Sequence, residues 1–509
     1  MIALKDQNVL ILGLGLSGLA MARWCARCGA QVSVADTRPA PPQLESLRRE
    51  IPTATFFCSD LDASLVAGKG YTAVFKSPGL SPTAIAAVSR SLESTSYSLS
   101  GELALFSQAL LDLKTLQAYA PVVLAITGTN GKTTVTSLTG QLVERAQKTV
   151  AVAGNIGPTL LDTLAARLDS GSLPEVWVIE LSSFQLEGVN ALSGFEPSAA
   201  TVLNITQDHL DWHGAMPAYI AAKAKVFGTQ TRMLLNRNDP LVMALLPAES
   251  QKGRAKDRHA REYETFGSDL PKRPGDFGLE EVAGVVWLVR ALPADGTRRK
   301  RSEAAEEIFL QRLLPTDALR IRGRHNSVNA LAALSLALSA GCSLAPLLFA
   351  LREYQGEPHR VESVAIINDI EFFDDSKGTN VGATVAALVG LGAERKLVVI
   401  LGGEGKGQDF SLLASPVSRF ARAVVLIGRD AQLIRTALAA SGVVLLDAIS
   451  MQEAATLAYE NARAGDAVLM SPACASFDMF ENYPHRAAVF REAVSEIAQH
   501  TRTGMAALS

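Results

Sequence analysis

Residues 122–134 read V-V-L-A-I-T-G-T-N-G-K-T-T. An apolar, β-rich run ends in a glycine turn, a lysine and two threonines follow at once, and Val135, Leu138, Leu142 and Ala146 then recur at helical spacing. Strand, glycine-rich loop and helix N-terminus are the parts of a phosphate cradle, because the loop N–H groups point inward and the helix end is positively polarised. On this reading Gly128, Thr129, Asn130 and Gly131 form the loop, Lys132 meets the outer phosphates of a nucleotide, and Thr133 or Thr134 offers a hydroxyl to Mg2+. The general phosphate-loop pattern has a glycine five residues before Gly131. Ile126 stands there, and Gly128 serves a shorter loop. An ordinary turn with a chance lysine is the plain alternative; the strand before and the helix after argue against it.

Towards the N-terminus, residues 8–12 read as a strand, followed by Gly13-Leu14-Gly15-Leu16-Ser17-Gly18 and a helix through Cys28. A second strand, 31–35, ends at Asp36. Taken alone, this G-x-G-x-x-G with an acid beyond it spells a dinucleotide site, the acid on a ribose hydroxyl. Thr37 and Arg38 add polar contacts there, and a further strand, 72–75, runs into Lys76-Ser77-Pro78-Gly79. Cys25 and Cys28 form a C-x-x-C on one helix without a second pair, a poor basis for redox or metal chemistry.

The middle part begins near Ser98. Beyond the phosphate loop, a strand at 151–153 leads to Gly154-Asn155-Ile156-Gly157, and the apolar run 176–179 ends in Glu180. A carboxylate at the end of a buried strand beside a phosphate loop is where a Mg2+ ligand belongs; a glutamate facing water is the plain alternative. Residues 201–205 read as a strand ending in T-Q-D-H-L-D, and 219–227 as a helix carrying Lys223 and Lys225. From 247 to about 315 the chain is rich in charge, including Arg298-Arg299-Lys300-Arg301. This segment reads as exposed loops with a peripheral hairpin around 285–289, and closely flanking acids argue against a basic interaction patch.

In the last part, strands at 364–367, 397–401, 423–427 and 467–470 alternate with helical patterns. Their ends carry D-D-S-K-G-T-N (374–380), G-G-E-G-K (402–406) and S-P-A-C-A-S-F-D (471–478). Ligands in open α/β sheets sit beyond the carboxyl ends of strands, so these loops are expected to face one cleft. The fold class is α/β in three domains: a Rossmann-like domain at 1–97, a central P-loop mononucleotide-binding domain at 98–356, and a Rossmann-like domain at 357–509.

Bulk properties agree. A chain of 509 residues is too long for one core and implies about three domains. Hydrophobic residues at 48% and charged residues at 19% are those of a globular protein. A net charge of −3 gives no electrostatic case for nucleic acid or an anionic membrane. Five cysteines, odd and sparse, suggest a reducing compartment, so a cytoplasmic location is expected. The apolar stretch 9–22 is broken by three glycines, and the uncharged stretch 326–351 is divided by Asn329, Gly341 and Pro346, so no membrane insertion is expected.

Taken together, T-G-T-N-G-K-T-T, G-N-I-G, E-L-S-S-F-Q-L, D-H-L-D, H-N-S-V-N-A-L-A-A, D-D-S-K-G-T-N and S-P-A-C-A-S-F-D resemble the Mur ligases over nearly the whole chain. The short phosphate loop and E-L-S-S-F-Q-L are shared by much of that family. The spacing of the D-S-K-x-T-N and S-P-A-C-A-S loops points to the member that adds D-glutamate.

The resemblance implies an ATP-dependent amide synthesis. ATP phosphorylates the carboxylate of UDP-N-acetylmuramoyl-L-alanine, and the D-glutamate amine displaces phosphate from the acyl phosphate. It further implies that Lys132 neutralises phosphates, that Thr133 and Glu180 hold one Mg2+, and that His209 with a carbamylated Lys223 holds a second. Lys225 leaves the choice of lysine open. Asn155 matches a substrate- and metal-side asparagine. Asn326 and Asn329 are placed at the adenine, and Arg360 and Asp375 at the phosphates and ribose of ATP. Lys377, Thr379, Lys406, Ser476 and Tyr483 are placed around D-glutamate. Asp36, Thr37 and Arg38 surround the uracil, with Leu16, Ser17 and Ser77 near the diphosphate, so the glycine fingerprint serves a uridine nucleotide rather than NAD. The family has aspartate at Glu404 and phenylalanine at Tyr483. A monomer acting on small molecules is expected.

A nicotinamide-dependent oxidoreductase would leave the phosphate loop and Glu180 without a task. A P-loop ATPase driving motion would leave the lysine-bearing loops of the last domain unexplained. Within the superfamily, a ligase for another amino acid or a folylpolyglutamate synthase is the nearer rival.

Overall fold

The computed structural model describes residues 4–93, 99–189, 194–247, 261–294, 307–393 and 395–507, the side chains beyond Thr501 excepted. The basic run 298–301 and the expected boundary at 97/98 lie outside the described residues.

Five parallel strands, β1 (Asn8–Leu12), β2 (Gln31–Asp36), β3 (Thr55–Cys58), β4 (Ala73–Lys76) and β5 (Leu99–Ser100), form the first sheet in the order β3-β2-β1-β4-β5. The second sheet is also parallel. It comprises β6 (Val122–Thr127), β7 (Val150–Gly154), β8 (Val176–Glu180), β9 (Ala199–Val202), β10 (Arg232–Asn236) and β11 (Tyr263–Phe266), ordered β11-β10-β9-β6-β8-β7. Near-continuous apolar runs such as V-W-V-I-E in β8, buried at every position, suit a sheet covered on both faces.

The charge-rich segment contains the expected hairpin around 285–289 but builds more ordered structure around it than the expected loops. Strand β11 is the edge of the central sheet, and β12 (Phe277–Val282), β13 (Val285–Pro293) and β14 (Ile308–Pro315) form a three-stranded antiparallel sheet. Phe277, Leu279, Leu288 and Leu314 are buried in one cluster with Leu331 and Leu334 of the helix Arg324–Ser339. Alternating apolar positions put one face into the core while the charges stand on the other.

The last sheet runs β15-β16-β20-β17-β18-β19, with β15 (Glu362–Ile367), β16 (Ile370–Asp374), β17 (Leu397–Gly402), β18 (Ala421–Ile427), β19 (Val444–Asp447) and β20 (Ala467–Met470). Only the β15–β16 hairpin is antiparallel among its pairs. The strand expected at 201–205 stops at Val202 because Asn204 turns to the phosphate loop, accepting the Asn130 N–H at 2.8 Å and donating to the Asn130 carbonyl at 3.0 Å. The helix expected at 219–227 is Met216–Ala224, entered through Pro217 in its first turn.

The helix Leu16–Arg27 docks the first sheet onto the second, with Trp24, Phe106 and Trp177 in one shared apolar cluster and Arg23 bonded to Glu50 at 2.7 Å and Asp162 at 3.1 Å. Among the described residues no helix is long and apolar enough to cross a membrane. The stretch 326–351 is divided between the helices Arg324–Ser339 and Leu344–Glu353, both packed into the core.

Candidate active site

Strand β6 delivers the chain into a turn that ends at Gly131, whose φ of +83° favours glycine; a methyl there would fall 2.9 Å from Asn329 Oδ1. The helix Lys132–Arg145 starts without a side-chain cap, leaving the N–H groups of its first turn open to an anion. Lys132 folds back, its ammonium donating to the carbonyls of Gly128 at 2.9 Å and Thr129 at 2.8 Å. Burial lowers its pKa, with the positive field of Arg360 acting the same way and Glu180 opposing. Thr129 is held by the Tyr219 hydroxyl at 3.0 Å.

Glu180 closes β8 and is buried. Asn155 Nδ2 donates to its Oε1 at 2.9 Å, while its buried Oε2 has no hydrogen-bond partner among the described residues. Lys223 is also buried and donates to the Gly128 carbonyl at 2.8 Å, 4.5 Å from the Tyr219 ring. Desolvation first, and Lys132 second, push its pKa well below the usual lysine value. Lys225 points elsewhere, donating to the Glu187 carbonyl at 2.7 Å. Of the two lysines, Lys223 is thus the one turned to the phosphate loop.

His209 adopts a left-handed φ of +52°, its N–H donating to Asp208 Oδ1 at 2.9 Å and its ring standing edge-on to Phe184 at 4.8 Å. Although 47% of its side chain is exposed, desolvation by the cleft walls, aided by Lys132 and Lys223 and opposed by Asp208, lowers its pKa and so favours a free lone pair on the imidazole. An unpartnered carboxylate oxygen, the Thr133 hydroxyl and a neutral imidazole form a donor set that suits a divalent cation.

The C-terminal loops reach the same place. Arg360 Nη2 donates to Thr133 Oγ1 at 2.6 Å, across 227 residues of sequence. Together the two sides line a cleft of about 360 Å³, with Thr129, Asn130, Lys132, Thr133, Asn155, Glu180 and His209 from the central part and Arg360, Lys377, Thr379, Lys406, Ser476 and Tyr483 from the last. Lys377 lies 5.3 Å from the Tyr483 ring, and its pKa is lowered by burial first and Arg360 second. A smaller recess of about 90 Å³ adjoins the cleft and is lined by Gly131, Thr134, Asn326, Asn329, Arg360 and Asp375 among others. Asn329 Nδ2 donates to Asn326 Oδ1 at 3.1 Å. Asp375 accepts the Ser471 hydroxyl at 2.6 Å, and burial lifts its pKa to about 7 against that bond and the Arg360 charge.

The six expected uridine-nucleotide residues lie outside this cleft, at the carboxyl ends of the first sheet's strands: Leu16 and Ser17 open the helix Leu16–Arg27, Asp36 ends β2 with Thr37 and Arg38 beyond it, and Ser77 follows β4. Asp36 is buried and already engaged by the Leu14 N–H at 2.7 Å, the Arg38 N–H at 2.9 Å and two guanidinium bonds at 2.8 Å. Burial alone would raise its pKa; the Arg38 and Leu14 bonds outweigh it and hold it at about 2. Ser77 donates to the Gly13 carbonyl at 2.8 Å, and Ser17 is bonded to Glu102. These side chains therefore brace the glycine turn, while Leu16 stands 69% exposed above it.

Several contributors went unread in the sequence. Arg486 is buried and pins two loops, donating to the carbonyls of Cys474 at 3.1 Å and Ser376 at 2.8 Å. Nothing in a lone arginine near a helix start signals this. Asn380, an asparagine just before the helix Val381–Gly392, carried a legible capping signal. The lengthened acid Glu404 reaches Arg429 at 3.2 Å. His359, Glu362 and Asp374 cluster as metal ligands would, but the Arg491 guanidinium pairs with Glu362 and lies 3.3 Å from Asp374, so both carboxylates already face a cation.

Comparison with known proteins adds three family matches: a "Mur ligase MurD-like, N-terminal domain" over residues 7–93, a "Mur ligase middle domain" over 126–268 and a "Mur ligase, glutamate ligase domain" over 359–474. The chain is 67% identical over 496 residues to the UDP-N-acetylmuramoylalanine--D-glutamate ligase of Albidiferax ferrireducens, covering 97% of each. It is 55% identical to the protein of that name from Ralstonia nicotianae, covering 97% of this chain and 98% of that one. Among solved structures it is similar to MurF from Acinetobacter baumannii, with a TM-score of 0.55, 16% identity, and 96% and 91% of the chains covered. It is also similar to the UDP-N-acetylmuramate-alanine ligase MurC from Thermotoga maritima, with a TM-score of 0.52, 19% identity, and 96% and 100% covered. At such identities these structures speak for the fold.

Proposed function

The chain belongs to the Mur ligase family, and on that premise we propose that it joins D-glutamate to UDP-N-acetylmuramoyl-L-alanine at the expense of ATP, in peptidoglycan precursor synthesis. One observation carries the site assignment. Phosphate-loop residues Lys132 and Thr133 share a single cleft with the cationic and hydroxyl side chains Lys377, Lys406, Thr379 and Ser476. An amino acid with two carboxylates suits the latter set, and a nucleoside triphosphate suits the former.

In this reading ATP lies along the loop 128–134, its base against Asn326 and Asn329 and its ribose near Asp375. Lys132 exchanges the carbonyls of Gly128 and Thr129 for phosphate oxygens. Thr133 and Glu180 would hold one Mg2+, and His209 with Lys223 as a carbamate a second. Bound Mg2+ supplies charge neutralisation at the phosphoryl group. Burial favours a neutral Lys223 amine, the form that adds carbon dioxide. Asn155 orients Glu180 and reaches the substrate side.

The substrate carboxylate attacks the γ-phosphorus as the bond to ADP breaks. The D-glutamate amine then attacks the acyl carbon, and the tetrahedral intermediate collapses to amide and inorganic phosphate with loss of a proton. Lys377 and Lys406 hold the two carboxylates, with Thr379, Ser476 and Tyr483 around the backbone of the amino acid. Closure of the last domain over the loop excludes water and fixes the amine near the carbonyl. The uridine nucleotide sits on the glycine turn, read by Leu16, Ser17, Asp36, Thr37, Arg38 and Ser77, several of them acting through the turn they brace. We take the domains as 1–97, 98–356 and 357–509, and the protein as a cytoplasmic monomer.

The test is phosphate release from ATP with Mg2+, UDP-N-acetylmuramoyl-L-alanine and one amino acid at a time. Release that depends on D-glutamate supports the reading; equal release with L-alanine or diaminopimelate contradicts it.

A further inference from the structure

Asn380 sits where three segments meet. Its Oδ1 caps the helix Val381–Gly392, accepting the Ala383 N–H at 2.8 Å. The same buried amide pairs with Asn130 of the phosphate loop in both directions, donating to Oδ1 at 3.2 Å and accepting from Nδ2 at 3.3 Å. Its other N–H goes to Asp208 Oδ2 at 3.2 Å. An amide offers two donors and two acceptor lone pairs, so this one is fully committed.

Each partner leads to a working group. Asp208 takes the His209 N–H on its other oxygen, at 2.9 Å, at the residue whose left-handed backbone presents the imidazole to the cleft. On the other side, the Val381 N–H donates to Gln408 Oε1 at 2.9 Å, and Gln408 Nε2 donates to the Gly405 carbonyl at 3.0 Å, beside Lys406. The two surfaces meet without slack: a methyl on Gly382 would fall 2.7 Å from Thr206 Oγ1.

We propose that Asn380 is a positioning residue for the ligation, a latch through which the amino-acid loops register on the phosphate loop. The inference rests on the ligase reading above. In the latched state one amide fixes Asn130, the His209 segment and the Lys406 turn relative to each other. Removing it leaves each half intact but lets the phosphate and amine sides drift, and small misplacements of reacting groups are costly in rate.

Asn380→Ser and Asn380→Asp both keep an oxygen able to cap the helix and both lose the donated bonds. In the full chain, Asn380→Ser is expected to lower kcat/KM for D-glutamate by about 10- to 100-fold. Affinity for an ATP analogue offered alone stays unchanged, and the unfolding midpoint falls by only a few degrees as buried bonds are lost, the protein remaining folded at the assay temperature. Asn380→Asp sets a second carboxylate against Asp208 and is expected to lose more than the serine variant. A cap-only role predicts wild-type kinetics in both variants, and that result overturns the latch. So does a fall in kcat/KM matched by lost nucleotide affinity or by unfolding at the assay temperature, or an aspartate variant no worse than serine. Wild-type protein without D-glutamate-dependent phosphate release overturns ligase and latch together; an active wild type with unaffected variants overturns the latch alone.

Discussion

Replacing Lys223 with methionine removes a buried amine, whose charged form desolvation disfavours, while keeping most of the side-chain volume. Lys223 and Lys132 both donate to the Gly128 carbonyl, at 2.8 and 2.9 Å, so two amines converge on one oxygen, Lys223 from the buried side and Lys132 from the cleft. Charging Lys223 costs desolvation, and Lys132 adds repulsion to it. Replacing a buried ion pair by apolar groups of similar size is neutral to stabilising by about 1–4 kcal/mol, which bounds the gain from removing a single desolvated amine. The lost hydrogen bond subtracts about 1 kcal/mol, and the Gly128 carbonyl keeps Lys132 as a donor. The net expectation is a gain of about 0–3 kcal/mol, an unfolding midpoint higher by up to about 10 °C in a domain of this size.

Activity should move the other way, falling by at least about 100-fold as the proposed metal ligand is lost. The assays are thermal unfolding of the ligand-free protein and D-glutamate-dependent phosphate release. Lys223→Ala, which leaves room for a guest, should regain part of its rate with added formate or acetate. Destabilisation of Lys223→Met by more than about 2 kcal/mol would mark the lysine as a structural strut and refute the reasoning. So would near-normal turnover.

Three further outcomes are expected. Asp375 has a folded pKa of about 7, raised above its ordinary value of 3.8, so its contribution to stability is full below the ordinary value and is lost as pH rises through about 7. Asp375→Asn should flatten that part of the dependence of the urea midpoint on pH, and an unchanged profile would contradict the burial argument. Lys406→Met should raise the KM for D-glutamate by about 10-fold or more while leaving that for ATP within about 2-fold, checked by steady-state kinetics in which equal effects on both would contradict the assignment. Arg486→Met should loosen both loops it bridges, seen as faster amide hydrogen exchange at 374–380 and 471–478, and unaltered exchange would contradict its bracing role.

The phosphate loop was legible because its parts are contiguous: a buried run, a turn and an uncapped helix start follow within a few residues. The cleft was legible by a weaker rule, that ligands lie beyond strand carboxyl ends. Pattern could not choose between Lys223 and Lys225, which two helical steps place on different faces, and only tertiary packing says which face meets the loop. A hairpin around 285–289 was legible, but the full three-stranded sheet and its burial were not, because F-G-L-E-E-V alternates within a charged segment and burial of Phe277 and Leu279 depends on a distant helix. Asp36 and Ser77 carried a binding signature, yet their polar atoms are largely spent on the glycine turn, a distinction that only coordinates supply.

The central claim is that the γ-phosphoryl passes to the substrate carboxylate before the amide forms. The most direct measurement labels that carboxylate of UDP-N-acetylmuramoyl-L-alanine with oxygen-18 and analyses the phosphate released in the presence of ATP, Mg2+ and D-glutamate by mass spectrometry. The account predicts one labelled oxygen in each phosphate, formed together with the amide product. Unlabelled phosphate, the signature of attack by water on ATP, would contradict it.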